Sequence, residues 1–479
     1  MGGVQEVHVQ DVPLEMLASQ QAPGRAEELR ARAQRAVALL GHRTVWNISS
    51  TAHGGGVAEM LQTVLAYGRG AGVDTRWLVI EGSPEFFTVT KRIHNLLHGF
   101  PGDGGGLGRA ELEVYQAVLD ADFAAIAERV RPGDLVLLHD PQTAGLVDGI
   151  RGLGAIPLWR CHIGRDGHNP STTRGWHFLH GLVGDAAGFV FSRESYAPDW
   201  VPRDRLTVIA PSLDPFSPKN QPLDDADVQA VLRRASLVAD GIRGIEPVGP
   251  RFVRRDGSVG TVRAHIGLLV DDEPVPEEAR VVLQVSRWDR LKDMGGLLAG
   301  FAGRLDRLPD DVHLLLVGPD VAGVDDDPEG AEVLEECREF RLELPAAARA
   351  RIHLAQLPMD DGDENALLVN ALQRHATVVV QKSLEEGFGL TVTEPMWKAR
   401  PVVASAVGGI RDQIVDGESG LLLADPRDAD EMVAALTRLL DDPSYAARLG
   451  AAARERVRER FLPDRHLVQY GELFDRVAR

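Results

Sequence analysis

Short apolar runs rich in β-branched residues recur along this chain, each followed by a segment long enough for a helix. Most runs are nearly continuous in apolar residues, which is typical of parallel strands buried on both faces of a sheet. Strands that alternate with helices predict β-α-β units, so we expect an α/β fold with two doubly wound, Rossmann-like sheets. The runs are 44–49, 75–81, 134–140, 155–161, 186–192 and 206–212 for the first sheet, and 279–286, 312–318, 351–357, 376–381, 400–405 and 419–424 for the second.

A change of composition marks the boundary between the two predicted domains. The segment 211–222 is rich in proline and turn formers, and an acidic stretch follows it. Two doubly wound domains bind ligands at the carboxyl ends of their strands, so we expect a central cleft. The predicted parts are an N-terminal domain at 1–215, a second domain at 216–455 with an insertion at about 221–280, and a C-terminal helix at 456–479 that can cross back to the first domain.

Charge and cysteine content narrow the class of protein. The chain has 52 Lys and Arg against 71 Asp and Glu, a net charge of −19, which argues against nucleic acid or an acidic membrane as partner. Two cysteines in 479 residues indicate a reducing compartment. No secretory leader and no apolar stretch of membrane-spanning length are visible, so we expect a cytoplasmic protein.

A glycine cluster, HGGGVAEML at 53–61, follows the first predicted strand. Glycines between a strand and a helix let backbone N–H groups approach an anion, and the helix dipole favours negative charge there. The spacing is not the dinucleotide fingerprint, and the chain lacks the G-x-S-x-G elbow that would accompany an esterase oxyanion loop. Gly55 and Gly56 therefore predict a phosphate or sugar loop, with a plain tight turn as the alternative.

The segment RWDRLKD, 287–293, directly follows the first predicted strand of the second domain and contains two basic residues of interest. Arg287 and Lys292 are close enough in sequence to grip one diphosphate from two sides, Arg as a bidentate fork and Lys as a point charge. Taken alone, this pattern is also that of an ordinary solvated surface.

The segment 381–405 joins two predicted strands through a turn and a short helix that begins near Leu390. Gly389 frees the backbone, so the N–H groups of Gly389, Leu390 and Thr391 can point at phosphate oxygens. Glu386 precedes this turn and Glu394 lies one helical turn inside. Two carboxylates beside an anion site can accept hydrogen bonds from sugar and ribose hydroxyls, although each alone could be a helix-start or exposed acid.

Together these segments resemble retaining glycosyltransferases of the GT-B fold. The resemblance is carried by Glu386-x7-Glu394 with GFGL between them, by SRWDRLKD, and by the first glycine loop. It extends to the trehalose glycosyltransferring synthases, whose segments are matched in order by VWNISSTAHGGGVAEML, VIEGSPEFFTVTKRIHNLLHG, LHDPQTAGL, WRCHIGRD, PSLDPFSPKN and QKSLEEGFGLTVTEPMWKARPVV.

The resemblance implies that the second domain holds a nucleoside diphosphate sugar. Arg287 and Lys292 would stabilise the charge that develops on the leaving diphosphate. Glu386 would bind hydroxyls of the donor sugar, and Glu394 those of the ribose. Gly55 and Gly56 would approach the phosphates from the first domain.

The same resemblance implies that the first domain holds the acceptor. His162 would contact the donor sugar near the reacting carbon, and Asp140 would face the acceptor hydroxyls. Arg165, Asn169 and Trp176 are candidates for an acceptor rim, although an ordinary loop and helix explains them equally well.

The expected activity is transfer of glucose from UDP-, ADP- or GDP-glucose to glucose, giving α,α-trehalose. The resemblance implies a front-face mechanism that needs no side-chain base and no metal, and acidic clusters such as 325–327 and 361–364 are predicted to be solvated. The alternatives are the same donor chemistry with another sugar or a metabolite alcohol as acceptor, a trehalose phosphorylase, and a protein that only binds nucleotide sugars. A homodimer is the default expectation for the assembly.

Overall fold

In the computed structural model, residues 3–52, 55–239, 249–270, 273–321 and 328–478 are described below. They form two compact units, one of Met1–Leu213 with Phe461–Arg479 and the other of Asp214–Arg460. Each unit contains one doubly wound sheet with helices on both faces, which confirms the predicted α/β fold class.

The first unit is built on a seven-stranded sheet in the order β1-β3-β2-β4-β5-β6-β7. Strand β1 is antiparallel to β3, and the other strands are parallel. The strands are β1 Gln5–Val7, β2 Val45–Ser49, β3 Thr75–Val79, β4 Leu135–His139, β5 Ile156–Cys161, β6 Gly188–Phe191 and β7 Leu206–Val208. The helices that precede the second unit are α1 Leu14–Ala18, α2 Pro23–Leu40, α3 Gly55–Gly70, α4 Pro84–Leu97, α5 Arg109–Ala127, α6 Asp140–Thr143, α7 Val147–Gly152 and α8 Pro170–Val183.

The second unit contains a six-stranded parallel sheet and a separate two-stranded hairpin. The hairpin strands are β8 Arg251–Val253 and β9 Val259–Thr261, and the sheet strands are β10 Arg280–Val285, β11 Val312–Pro319, β12 Ile352–Leu357, β13 Val378–Gln381, β14 Val402–Ser405 and β15 Leu421–Leu423. The sheet order is β12-β11-β10-β13-β14-β15. The helices are α9 Asp225–Arg234, α10 Met294–Ala302, α11 Pro328–Glu343, α12 Ala346–Arg349, α13 Gly362–His375, α14 Leu390–Trp397, α15 Ile410–Gln413, α16 Ala429–Asp441 and α17 Pro443–Arg460.

The last helix, α18 Pro463–Val477, belongs to the first unit. It packs against α2 and α3, and Asp464 forms an ion pair of 2.5 Å with Arg25. Its inward face buries Tyr470, Leu473 and Phe474 against the apolar side of the first sheet. Burial of this stripe fixes the end of the chain on the first unit.

Each sheet reverses its strand order once, between β2 and β4 in the first unit and between β10 and β13 in the second. At such a switch point the loops that leave two neighbouring strands run to opposite faces of the sheet and open a crevice. The loops after β10 and β13 carry residues 286–293 and 382–389, and the loop after β4 begins at Asp140. Within each unit, therefore, these loops lie at the carboxyl ends of the strands of that unit's own sheet.

Candidate active site

The switch point of the second unit brings Lys292 and Glu386 into direct contact. Lys292 lies in a 3-10 turn after β10, and Glu386 lies in the loop after β13. The Lys292 Nζ to Glu386 Oε2 distance is 2.6 Å, and Ser383 Oγ donates to the same oxygen at 3.2 Å. Both ionic side chains are mostly buried, at 16% and 10% exposure, so this pair is screened far less than a surface ion pair.

A second ion pair supports the first. Asp293, in the left-handed backbone conformation, pairs with Lys382, whose side chain is buried. The buried Gln284 of β10 accepts from the Lys382 backbone N–H at 3.0 Å and donates to the Lys292 carbonyl at 2.8 Å. These contacts hold the two loops together and fix the backbone on which Lys292 stands.

Arg287 lies at the entrance to the same loop with a half-exposed side chain. Its Nη2 is 3.2 Å from Asp289 Oδ2, and Asp289 Oδ1 accepts from the Leu291 N–H at 2.7 Å. A half-exposed guanidinium carries its N–H donors in a planar fork, the geometry that binds a phosphate or carboxylate through two hydrogen bonds.

The glycine turn before α14 has the backbone that the sequence predicts. Gly389 has φ +84° and precedes Leu390 and Thr391, which begin the helix. Gly409 lies against the turn and donates its N–H to the Gly387 carbonyl at 3.2 Å. A Cβ on Gly409 would stand 2.7 Å from that oxygen, so the approach requires glycine. The turn is thus held from behind while the first N–H groups of α14 face outward along the helix axis.

Glu394 is buried inside the second unit, with 4% exposure. Its Oε2 accepts from Gln373 Nε2 at 3.0 Å, and its Oε1 is 3.7 Å from Lys219 Nζ. Lys398, one turn later on the chain, donates to Gln373 Oε1 at 2.8 Å. The alternative of an exposed helix acid is wrong, since this carboxylate is fixed by an internal polar network.

In the first unit, Asp140 follows β4 with φ +63°, a conformation uncommon for any residue but glycine. Its Oδ1 accepts from the His162 backbone N–H at 2.7 Å. Burial raises the pKa of Asp140 to about 7, against the opposing effects of that N–H and of the Arg160 guanidinium. The structure thus brings the predicted Asp140 and His162 together.

The His162 ring is held by a chain of buried polar groups. His162 Nε2 is 3.1 Å from His139 Nδ1 and accepts from Arg160 Nε at 3.0 Å, and His139 Nε2 is 3.0 Å from Asn47 Oδ1. Arg160 also donates to Tyr470 Oη of α18 at 2.7 Å. Burial, assisted by the Arg160 charge, lowers the pKa of His139 to about 3 and that of His162 well below its usual value. Both rings are therefore neutral at physiological pH.

The three predicted rim residues have structural partners of their own. Asn169 caps α8 through the Thr172 N–H and donates to the Gly99 carbonyl at 2.8 Å. Arg165 lies beside the same glycine. Trp176 is buried, and its ring packs against Trp159. These placements favour the packing alternative, most clearly for Trp176.

The first glycine loop is only partly described. His53 and Gly54 lie outside the described residues, whereas Gly55 and Gly56 begin α3 directly after the loop that leaves β2. The acidic cluster at 325–327 also lies outside the described residues.

Sequence reasoning missed several residues of the site. His139 and Arg160 lie in runs that were assigned to buried strands, and a charged side chain inside such a run is the signal that could have found Arg160. Gln373, Lys398 and Lys219 come from three separate segments, and nothing local in the sequence joins them to Glu394.

Among the described residues, no group of three or more His, Cys, Asp or Glu side chains is arranged to hold a metal ion. Within the same ranges, no helix is both long and apolar enough to cross a membrane. Cys161 and Cys337 are buried and unpaired.

The chain is similar to known proteins in both sequence and fold, and both similarities point to one class of protein. Residues 47–198 match the family model described as trehalose synthase, N-terminal domain, and residues 269–456 match that of the glycosyl transferases group 1. Among solved structures, an α,α-trehalose-phosphate synthase (UDP-forming) from Burkholderia vietnamiensis superposes with a TM-score of 0.64 at 15% identity, covering 90% of this chain and 98% of that one. The fold is GT-B, and the protein is a glycosyltransferase.

Proteins of similar sequence identify the family within the glycosyltransferases. A trehalose synthase from Pyrococcus horikoshii is 32% identical over 449 residues, which are 94% of each chain. A trehalose phosphorylase from Pleurotus pulmonarius is 26% identical over 434 residues, which are 85% of this chain and 54% of that protein. The chain belongs to the trehalose synthase family.

Proposed function

We propose that this enzyme transfers glucose, with retention of configuration, from a nucleoside diphosphate glucose to glucose, forming α,α-trehalose. The observation that carries this proposal is the Lys292–Glu386 pair at the switch point of the second unit. A nucleotide sugar presents a diphosphate and sugar hydroxyls. In this pair the Lys292 cation can bind the diphosphate, and the adjacent Glu386 carboxylate can bind the hydroxyls. Family membership over nearly the whole chain supports the same donor and acceptor.

On the donor side, Arg287 and Lys292 neutralise the diphosphate, and the N–H groups of Gly389, Leu390 and Thr391 bind its oxygens. Glu386 binds hydroxyls of the donor glucose, and Glu394 binds the ribose. Gly55 and Gly56 supply further phosphate contacts. No metal or other cofactor is part of this proposal, because cationic side chains and backbone N–H groups supply the charge compensation.

On the acceptor side, Asp140 in its ionised form accepts hydrogen bonds from acceptor hydroxyls. His162 is neutral and contacts the donor sugar near its reacting carbon. The proposed acceptor region also includes Arg165, Asn169 and Trp176. Trp176 is buried, so its proposed role is to support the residues above it.

In the proposed front-face reaction, the bond from the donor C1 to the phosphate oxygen breaks and a bond from C1 to the acceptor oxygen forms on the same face. The acceptor proton passes to the departing phosphate oxygen, so no side-chain base is required. Stabilisation of the diphosphate by Lys292 and Arg287 lowers the barrier to departure. Detection of a covalent glycosyl–enzyme adduct after rapid quench would contradict this route.

A trehalose phosphorylase is the second candidate, favoured by the relative from Pleurotus pulmonarius. Such an enzyme would use inorganic phosphate and trehalose, and its donor would be glucose phosphate rather than a nucleotide sugar. Transfer of glucose to another sugar is a variant of the first proposal, in which the same residues bind the nucleotide sugar and only the acceptor differs.

The test is a panel of UDP-, ADP- and GDP-glucose, each with and without glucose, with release of nucleotide followed over time. The proposal predicts release that depends on glucose with at least one donor. Release at the same rate without glucose would mean transfer of the glucosyl group to water, and it would contradict glucose as the acceptor. Activity seen only with trehalose and inorganic phosphate would establish the phosphorylase instead.

We also propose that the enzyme works in the cytoplasm, where a reducing environment matches its two unpaired cysteines. Its partners are then a nucleotide sugar and a small sugar, and no nucleic acid or membrane is part of the proposal. The homodimer stays a prediction.

A further inference from the structure

The Glu394 carboxylate has two side-chain partners among the described residues, one through a hydrogen bond and one through an ion pair. A carboxylate offers about four lone-pair positions, two on each oxygen. Gln373 occupies one position on Oε2 at 3.0 Å, and Lys219 approaches Oε1 at 3.7 Å. At 3.7 Å the Lys219 contact is an ion pair and not a hydrogen bond, so both carboxylate oxygens keep lone pairs that neighbouring sugar hydroxyls can use.

Lys398 fixes which way the Gln373 amide points. Burial lowers the pKa of Lys398, and Glu394 opposes this effect. In its protonated form Lys398 can only donate, and it donates to Gln373 Oε1 at 2.8 Å. The amide oxygen must therefore face Lys398, which leaves the NH₂ group to face Glu394. Gln373 is 1% exposed and Lys398 is 7% exposed, so water does not compete for these bonds.

The remaining donors of Lys398 are also engaged. Lys398 Nζ donates to Asn220 Oδ1 at 3.0 Å and to the Glu394 carbonyl at 3.3 Å. Asn220 is fixed in turn because its Nδ2 donates to the Asp214 carbonyl at 2.9 Å. The ammonium thus has three acceptors and no rotational freedom to release Gln373.

The segment that carries Lys219 is attached to the same helix as Gln373. Asn370 on α13 donates to the Pro218 and Gln221 carbonyls, each at 2.9 Å. These bonds bracket Lys219 and hold its backbone in place beside Glu394. The carboxylate is therefore oriented from α13 and from the entry segment of the second unit at once.

We propose that Gln373, supported by Lys398, and Lys219 on the other oxygen are positioning residues that make Glu394 select a ribose over a deoxyribose in the donor nucleotide. The proposal rests on the proposed function, in which Glu394 binds the ribose. An ionised carboxylate can only accept hydrogen bonds, and buried partners hold this one in a single orientation. A sugar that lacks one hydroxyl leaves a buried lone pair unmatched, which is a strong basis for rejection.

The test measures the dissociation constants of UDP, ADP and GDP, and of the matching 2′-deoxy nucleotides, by isothermal titration calorimetry. The wild-type enzyme is expected to bind its preferred ribonucleotide about tenfold to a hundredfold more tightly than the deoxy form, since the lost hydrogen bond is to a charged group. In Gln373→Met this ratio is expected to fall to about threefold or less.

Gln413→Met is the matched control. Gln413 is also a buried amide of the second unit, but it donates to the Phe388 carbonyl behind the glycine turn and does not contact Glu394. Its loss should weaken ribo- and deoxynucleotides equally and leave the ratio unchanged. If Gln373→Met fails to fold, Lys219→Met serves instead, because that side chain is partly exposed and approaches the other carboxylate oxygen.

A ratio that is unchanged in folded Gln373→Met or Lys219→Met overturns the positioning role, and so does a wild-type enzyme that binds both sugars alike. In either case the proposed reaction stands, because the nucleotide still binds, but equal binding of both sugars by the wild-type enzyme also removes the ribose role proposed for Glu394. A wild-type enzyme that binds none of the three ribonucleotides overturns both proposals together.

Discussion

At the scale of single residues, Asp140 combines a left-handed backbone with a carboxyl group that holds its proton unusually well. Its φ of +63° suits Asp and Asn better than other side chains, because their short polar groups tolerate this region. Burial raises its pKa to about 7. Between the ordinary aspartate pKa and pH 7 the folded state therefore keeps a proton that the unfolded state releases, and the stability contributed by Asp140 declines as the pH rises through that window.

This charge state predicts the pH dependence of acceptor use. If ionised Asp140 binds the acceptor, kcat/KM for glucose should rise as the pH increases through about 7. Asp140→Asn keeps the backbone conformation, so it should give a lower and flatter profile between pH 5.5 and 8.5. An identical rise in this variant would assign the titration to another group, since His139 and His162 are already neutral there.

Lys292 is expected to contribute to turnover more than to affinity. Lys292→Met removes the cation beside Glu386 and should lower kcat about a hundredfold, with a much smaller change in KM for the donor. Lys292→Arg keeps the charge and should retain an intermediate rate. Steady-state kinetics check this, with thermal melting as a control for folding. A loss confined to KM would mean that Lys292 only binds the donor.

At the scale of elements, the turn before α14 depends on a close approach between two loops. Gly409→Ala places a methyl group 2.7 Å from the Gly387 carbonyl oxygen and from Phe388 Cα, so the turn must move. We expect affinity for the preferred nucleoside diphosphate to fall about tenfold by calorimetry. Gly362→Ala, in the same unit with open space around its Cβ, should change affinity by less than twofold. Equal effects would show that the turn does not set affinity.

All twelve apolar runs of the sequence became strands, because burial on both faces leaves a strong local pattern. Strand β1 was missed, since three residues at an antiparallel edge carry no such pattern. Lys292 and Glu386 could be predicted because each follows a strand at the switch point, and the ends of those two strands are neighbours in the sheet whatever the loop conformation. Gln373 and Lys398 could not be predicted, because their link to Glu394 depends on how α13 packs beside α14.

At the scale of the whole molecule, the C-terminal helix joins the end of the chain to the site of the first unit. Tyr470 on α18 bonds Arg160, which in turn bonds His162. Beside Tyr470 lies an apolar cavity of about 70 Å³, lined by α2, α3, α18 and the sheet, with Gly471 at its wall.

Gly471→Ala should stabilise the first unit. Its Cβ would have nothing within 4 Å, and alanine favours a helix interior over glycine by about 1 kcal/mol. The expected increase in Tm is about 2 °C by calorimetry. Gly70→Ala is the opposing variant, because its Cβ would lie 1.8 Å from the Val12 carbonyl oxygen and should lower Tm. A decrease in Tm for Gly471→Ala would contradict the packing described for α18.

The central claim is transfer of glucose to glucose with retention, and the product itself tests it most directly. Proton NMR of the disaccharide, purified away from glucose and from the nucleoside diphosphate glucose, should show a single α-anomeric signal and no reducing end. That result is α,α-trehalose. A β-anomeric signal at the transferred glucose, identified with a 13C-labelled donor, would contradict the retaining mechanism, and a product with a free reducing end would contradict the trehalose assignment.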